Sequence, residues 1–156
     1  MSADGEAITP EGLAALKEEL ARLEGPARQE IARRIQAARE LGDLKENAEY
    51  HIAKEDQAHL ETKIQRLIER LRNARVVAAP AEGDEVGFGR TVHVLDEGAG
   101  REMTFTLVGA TEADVRNGKL SAESPVGRAL IGRRVGDRVE VQTPGGARAY
   151  RIERLD

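Results

Sequence analysis

The chain has 156 residues, 33% of them charged and only 3% aromatic, so few large side chains are available to line a ligand pocket. Its formal charge is −4, with 13 basic and 15 acidic residues up to Ala79 against 11 and 13 after it, and no basic block marks it as a binder of bare nucleic acid. Cysteine is absent, which excludes disulfides, thiolate metal sites and cysteine nucleophiles.

Met1 to Ala7 is short, polar and acidic, unlike a signal peptide, and no apolar run approaches the roughly 20 residues that span a bilayer, so the expectation is a cytoplasmic protein with no membrane partner. Thr9-Pro10-Glu11-Gly12 reads as a helix start, with Thr9 as N-cap and Pro10 in the first helical position, where a missing N–H does no harm. Leu13, Leu16, Leu20, Leu23, Ala27, Ile31, Ile35 and Ala38 then recur at three- and four-residue steps and form one apolar stripe. Gly25-Pro26 interrupts it, and because the stripe resumes beyond the proline the expectation is a kink rather than a domain boundary.

The stripe ends at Leu41-Gly42. A second runs through Ile52, Leu60, Ile64, Leu67, Leu71 and Ala74, with Asp56 as its polar gap. Two amphipathic helices joined by a few residues pack antiparallel. About 30 residues per arm gives a rod on the order of 45 Å. Residues 8–77 are therefore read as a coiled-coil hairpin, Ala78 to Asp84 as a linker, and residues 83–156 as a small globular domain. There the period changes. Thr91 to Leu95 and Met103 to Val108 read as strands about a turn at Gly98 to Arg101. Val139, Val141, Tyr150 and Ile152 form a second pair about Thr143-Pro144-Gly145-Gly146. Between the pairs, Ser124 is a candidate N-cap, Pro125 a first helical residue and Gly132 a stop, giving an antiparallel sheet with one short helix and an α+β chain overall.

The densest polar feature is the hairpin turn, Gly42-Asp43-Leu44-Lys45-Glu46-Asn47-Ala48-Glu49-Tyr50. Asp43 and Glu46 could share a divalent cation or orient a water. The same D-x-x-E spacing also describes a capping box, with Asp43 accepting from the backbone and Glu46 reaching back. Spacing alone leaves both readings open. His51, Glu55 and His59 fall on one helix face at a spacing that could bind zinc, but no fourth ligand is apparent and a solvated flank is the plainer reading. Arg39 and Lys54 lie just below the turn, one on each arm, where they could meet phosphates or pair with Glu40, Glu55 or Asp56. His93 sits in a strand pattern with no visible partner, which points to a structural role.

The run from Gly42 to His51 resembles the tip motif of the bacterial GreA/GreB family of transcript cleavage factors, in its GreA form. Glu123-Ser124-Pro125-Val126-Gly127-Arg128-Ala129-Leu130-Ile131-Gly132 and Thr143-Pro144-Gly145-Gly146 resemble that family's C-terminal segments in order and spacing, and Ile8 to Leu13 resembles its start. The resemblance implies a coiled-coil hairpin that enters the secondary channel of backtracked RNA polymerase, and a C-terminal domain similar to FK506-binding-protein (FKBP-like) folds that docks at the channel rim. It implies that Asp43 and Glu46 help hold a second Mg²⁺ and position the attacking water, so that the polymerase cuts its own RNA and the factor is its cofactor rather than an enzyme alone. Arg39 and Lys54 match basic positions facing the RNA 3′ end, Asn47 and Tyr50 match residues that shape the tip, and Glu123, Ser124 and Pro125 match the segment that meets the rim coiled coil. Some members of this architecture inhibit the polymerase and carry a more acidic tip, so an inhibitor is the alternative. Phe88, Phe105 and Tyr150 are too few for an aromatic-lined prolyl isomerase pocket.

Overall fold

The computed structural model describes residues 5–79 and 83–156. Residues 1–4 of the polar N-terminus and residues 80–82 of the expected linker lie outside them. The chain divides into two units, Leu13–Ala74 and a sheet-bearing unit made of the residues up to Gly12 together with those from Arg75 onward.

The first arm of the hairpin is α1 (Pro10–Arg22), a π-helical turn at Leu23–Ala27, and α2 (Arg28–Arg39). Thr9 caps it as expected, its Oγ1 accepting the Gly12 N–H at 3.0 Å. The π turn explains how an interior proline is tolerated. Pro26 has no N–H to donate and its ring would press on the carbonyl a turn back, and a wider turn relieves both faults. The Arg28 N–H accordingly reaches back five residues to the Leu23 carbonyl. The widened turn also corrects the packing register. Leu16, Leu20, Leu23 and Ala27 follow steps of four, three and four, and the step to Ile31 is again four where alternation asks for three. That surplus residue is the one a π bulge inserts. Leu23 before the turn and Ile35 and Ala38 after it are all buried.

The second arm is α3 (Ala48–Asn73), with Leu60, Ile64 and Leu67 buried. Here one expectation fails. Ile52 is 53% exposed and Ala53 is fully buried in its place. The seam on α3 runs 53, 57, 60, 64, 67, 71, alternating four and three residues, and Ile52 falls one position outside it. Asp56 stands beside the seam and pairs with Arg34 at 2.8 Å. Arg28 grips Glu61 with two hydrogen bonds of 2.9 and 2.8 Å, and Lys63 approaches Glu19 at 3.7 Å, so ion pairs across the arms flank the apolar seam.

In the sheet-bearing unit, β1 (Glu6–Ile8) pairs with β2 (Ala74–Val76) in a ribbon absent from the sequence reading. The main sheet contains β3 (Thr91–Asp96), β4 (Arg101–Val108), β5 (Lys119–Ser121), β6 (Arg138–Thr143) and β7 (Gly146–Leu155), in the order β5-β4-β3-β7-β6. Three of its pairings are antiparallel, and the short β5 joins β4 in parallel. Val92 and Val94 of β3 face a core shared with Phe105, Leu107, Leu130 and Ile152, and the Phe105 and Tyr150 rings meet edge to face at 6.4 Å.

Helix α4 (Pro125–Leu130) forms as read, with Ser124 Oγ accepting the Gly127 N–H at 3.1 Å. The same hydroxyl donates to the Ser121 carbonyl at 2.7 Å, which ties the helix to the end of β5. Gly127 is required by this closeness, since a Cβ there would lie 2.1 Å from the Ser121 carbonyl oxygen. His93 has partners that the strand pattern did not reveal: its Nε2 lies 2.7 Å from an Asp156 carboxylate oxygen and its Nδ1 3.0 Å from Thr104 Oγ1. Glu112 accepts the N–H groups of Thr9 and Gly109, each at 3.0 Å, and the Thr9 hydroxyl as well. The start of α1 is thus held by a carboxylate more than 100 residues away in sequence.

Candidate functional site

The tip is the loop from Glu40 to Asn47 that joins α2 to α3. α2 closes with the Leu41 and Gly42 N–H groups donating to the Ala38 and Arg39 carbonyls at 3.1 and 3.2 Å. Gly42 has φ of +99°, a left-handed conformation that turns the chain away from the helix. Beyond it the backbone presents Asp43, Leu44, Lys45 and Glu46 to solvent, all exposed.

Neither acid caps α3. Asn47 is the N-cap, with its Oδ1 accepting the Tyr50 N–H at 3.0 Å. Its Nδ2 donates to the Ala38 carbonyl at 2.6 Å, so one side chain links the end of α2 to the start of α3. Asp43 takes the Lys45 N–H on Oδ1 at 3.1 Å, a local turn that leaves its second oxygen open. Among the described residues Glu46 makes no hydrogen bond or ion pair. The capping-box reading of D-x-x-E therefore fails on geometry, because the helix begins at Ala48 and leaves Glu46 outside it.

The remaining predicted residues surround this loop. Arg39 lies over the Tyr50 ring, 6.0 Å from its centroid, and Tyr50 meets the His51 ring edge-on at 5.6 Å. His51 Nε2 is 3.2 Å from the Lys45 carbonyl oxygen. Lys54 donates to Gln57 at 2.9 Å rather than to Glu55 or Asp56. Leu41 and Ile52, assigned to the apolar stripes, are 66% and 53% exposed, and Leu44 in the turn is 40% exposed, so apolar side chains lie open to solvent around the loop. The zinc alternative gains nothing: His51 turns to the loop, His59 pairs with Glu55 at 3.8 Å, and among the described residues no group of three or more His, Cys, Asp or Glu could hold a metal ion. In the sheet-bearing unit, Glu123 and Pro125 are exposed while Ser124 is half-buried and occupied in capping α4.

Asp43 and Glu46 are hard oxygen donors suited to Mg²⁺, but two carboxylates fall short of the six ligands it takes. Any Mg²⁺ held here would need further ligands from outside the tip. Among the described residues no helix is long and apolar enough to cross a membrane.

Two family models match most of the chain between them. Residues 6–76 match the model described as transcription elongation factor, N-terminal, and residues 80–156 the model described as transcription elongation factor, GreA/GreB, C-term. A transcription elongation factor GreA from Rhodospirillum rubrum is 46% identical over 146 residues, 93% of each chain. One from Alkalilimnicola ehrlichii is 49% identical over 148 residues, again 93% of each. The crystal structure of GreA factor homolog 1 (Gfh1) of Thermus thermophilus shares 29% identity over 97% of this chain and 99% of that one, with a TM-score of 0.43.

Proposed function

The chain belongs to the GreA/GreB family of transcription elongation factors, which act on RNA polymerase, and from that premise we propose that it stimulates the polymerase's own cleavage of backtracked RNA. The observation that carries this reading is the state of the two tip acids. Both are exposed in one short loop, and helix capping, the structural task that would explain them, is done by Asn47 instead.

The hairpin enters the secondary channel tip first and brings Asp43 and Glu46 to the polymerase active site. There Asp43 and Glu46 would each supply ligands to a Mg²⁺, and carboxylates of the polymerase would supply others. When bound, Mg²⁺ would supply charge stabilisation for phosphodiester hydrolysis. Asp43 keeps one oxygen for ligation while its other holds the Lys45 N–H, and Glu46 has both oxygens free to ligate or to orient the attacking water. Arg39 and Lys54 flank the loop and meet phosphates of the extruded RNA 3′ end. Glu123, Ser124 and Pro125 dock on the rim coiled coil. With a net charge of −4, the factor meets RNA only inside this assembly. It acts as a cofactor of the polymerase and does not hydrolyse RNA alone.

The test is a stalled, backtracked elongation complex supplied with Mg²⁺ and the protein. The wild type is expected to shorten the RNA. Asp43→Asn and Glu46→Gln, which keep shape and remove charge, are expected to lower the cleavage rate by about 100-fold, the scale seen on losing one positioned electrostatic group, with little change in the concentration needed for binding. Cleavage by the variants at the wild-type rate refutes the proposal. RNA extension blocked with nothing cut assigns the chain to the inhibiting members instead.

A further inference from the structure

We propose that His51 is a positioning residue for Glu46, and that it acts by holding the peptide group on which Glu46 is carried. This rests on the cleavage reading above and names how the acid pair is kept in place.

The argument starts from helix geometry. His51 lies in the first turn of α3, where side chains lean back toward the N-terminus and so over the loop that precedes the helix. Its Nε2 reaches the Lys45 carbonyl oxygen at 3.2 Å. A carbonyl can only accept, so Nε2 carries the proton and donates. The bond survives in both the neutral Nε2–H form and the imidazolium. The Lys45 carbonyl belongs to the peptide plane that also contains the nitrogen and Cα of Glu46. Restraining that oxygen therefore restrains the place from which the Glu46 side chain departs.

The other acid is tied to the same residue from the opposite side. The Lys45 N–H donates to Asp43 Oδ1 at 3.1 Å. Lys45 thus has its N–H held by Asp43 and its carbonyl held by His51, so both sides of the residue between the acids are restrained by side chains. Without the second, Asp43 remains in its own turn and Asn47 stays clipped, while the peptide between Lys45 and Glu46 loses its side-chain restraint. Tyr50 packs edge-on against the His51 ring at 5.6 Å and carries Arg39 on its face, so the donor is itself supported. A carboxylate that must complete a metal shell with ligands from another protein gains from such support, because displacing a reacting group by about 1 Å can cost about 100-fold in rate.

The test uses the full chain and two variants. His51→Leu removes the donor at similar volume, and His51→Gln returns an N–H on a flexible stem. In the free protein, ¹⁵N NMR is expected to show the neutral His51 ring with its proton on Nε2, and His51→Leu to raise the backbone mobility of Glu46 while circular dichroism shows the helices intact. In the backtracked complex, His51→Leu is expected to keep its half-saturating protein concentration, lower the cleavage rate about tenfold at limiting Mg²⁺, the loss equal to about 1.4 kcal/mol, and recover at high Mg²⁺. His51→Gln is expected to restore most of the rate. A proton on Nδ1, an unchanged Glu46 amide, or equal rates for wild type and His51→Leu at every Mg²⁺ concentration overturns the proposal. So does a Gln variant as slow as the Leu variant. If Asp43→Asn and Glu46→Gln fail while His51→Leu is normal, only the role of His51 falls; if the acid variants cut normally, the cleavage reading falls with it.

Discussion

Replacing Asn47 by Ala is expected to loosen the hairpin at its tip. Two interactions are lost. The first is the N-cap bond to the Tyr50 N–H at 3.0 Å, whose removal costs about 1 kcal/mol. The second is the bond from Nδ2 to the Ala38 carbonyl at 2.6 Å. That carbonyl still accepts the Leu41 N–H at 3.1 Å, so it is not left without a partner and the loss is that of one ordinary bond, again about 1 kcal/mol. The total is about 2 kcal/mol, or roughly a 30-fold change in the opening equilibrium. Asn47→Asp separates the parts. It keeps an acceptor for Tyr50, favoured by the positive end of the helix, but loses the donor to Ala38, so about half the cost remains. Urea unfolding followed by far-UV circular dichroism reads the stability of the helical unit, and hydrogen exchange at the Tyr50 amide reads the cap directly. A loss for Asn47→Ala of less than about 0.5 kcal/mol, with the Tyr50 amide still protected, refutes the assignment of Asn47 as the clip between the arms.

The seam on α3 predicts opposite outcomes for two adjacent residues. Ile52→Ser, at an exposed position, is expected to change stability by less than about 0.5 kcal/mol, whereas Ala53→Leu, at a fully buried one, is expected to cost about 1–3 kcal/mol through overpacking; thermal melts of the pair check this. The Arg28–Glu61 pair predicts a pH dependence. Hydrogen bonding from Arg28 holds the Glu61 carboxyl below its usual range, so its contribution is fully present above that range and is lost as pH falls through the depressed value. A ¹³C titration of the Glu61 carboxyl is expected to show the lowered midpoint, Arg28→Ala to return it to the ordinary one, and added salt to shrink the difference.

Features set by near neighbours in the chain were legible in the sequence. Thr9 and Ser124 cap helices because a short hydroxyl side chain reaches an N–H three residues on, and the β3–β4 and β6–β7 turns follow from glycine placement. The tip acids were legible as a pair, but their task was not. A D-x-x-E box and an Asn47 cap are both local possibilities, and the spacing does not show that Asn47 also reaches the Ala38 carbonyl across the turn while its Oδ1 caps the helix that starts at Ala48. His51 was visible only as one of a spaced set of helix-face ligands, because nothing in the spacing shows that the loop folds back beneath it.

By itself, then, the sequence determined the two amphipathic arms, their turn, the change of period after residue 83, and a tip motif specific enough to place the chain in a family. Periodicity, capping and turn chemistry act over a few residues and leave marks of that length. Only the tertiary structure decided that Ala53 rather than Ile52 enters the seam, that a π turn absorbs a surplus residue at Pro26, that β5 joins β4 in parallel, that Glu112 holds the start of α1, and that Asp43 and Glu46 are spared from capping. Most of these depend on a partner from elsewhere in the chain, and the free energy of such a contact exists only once both sides are in place.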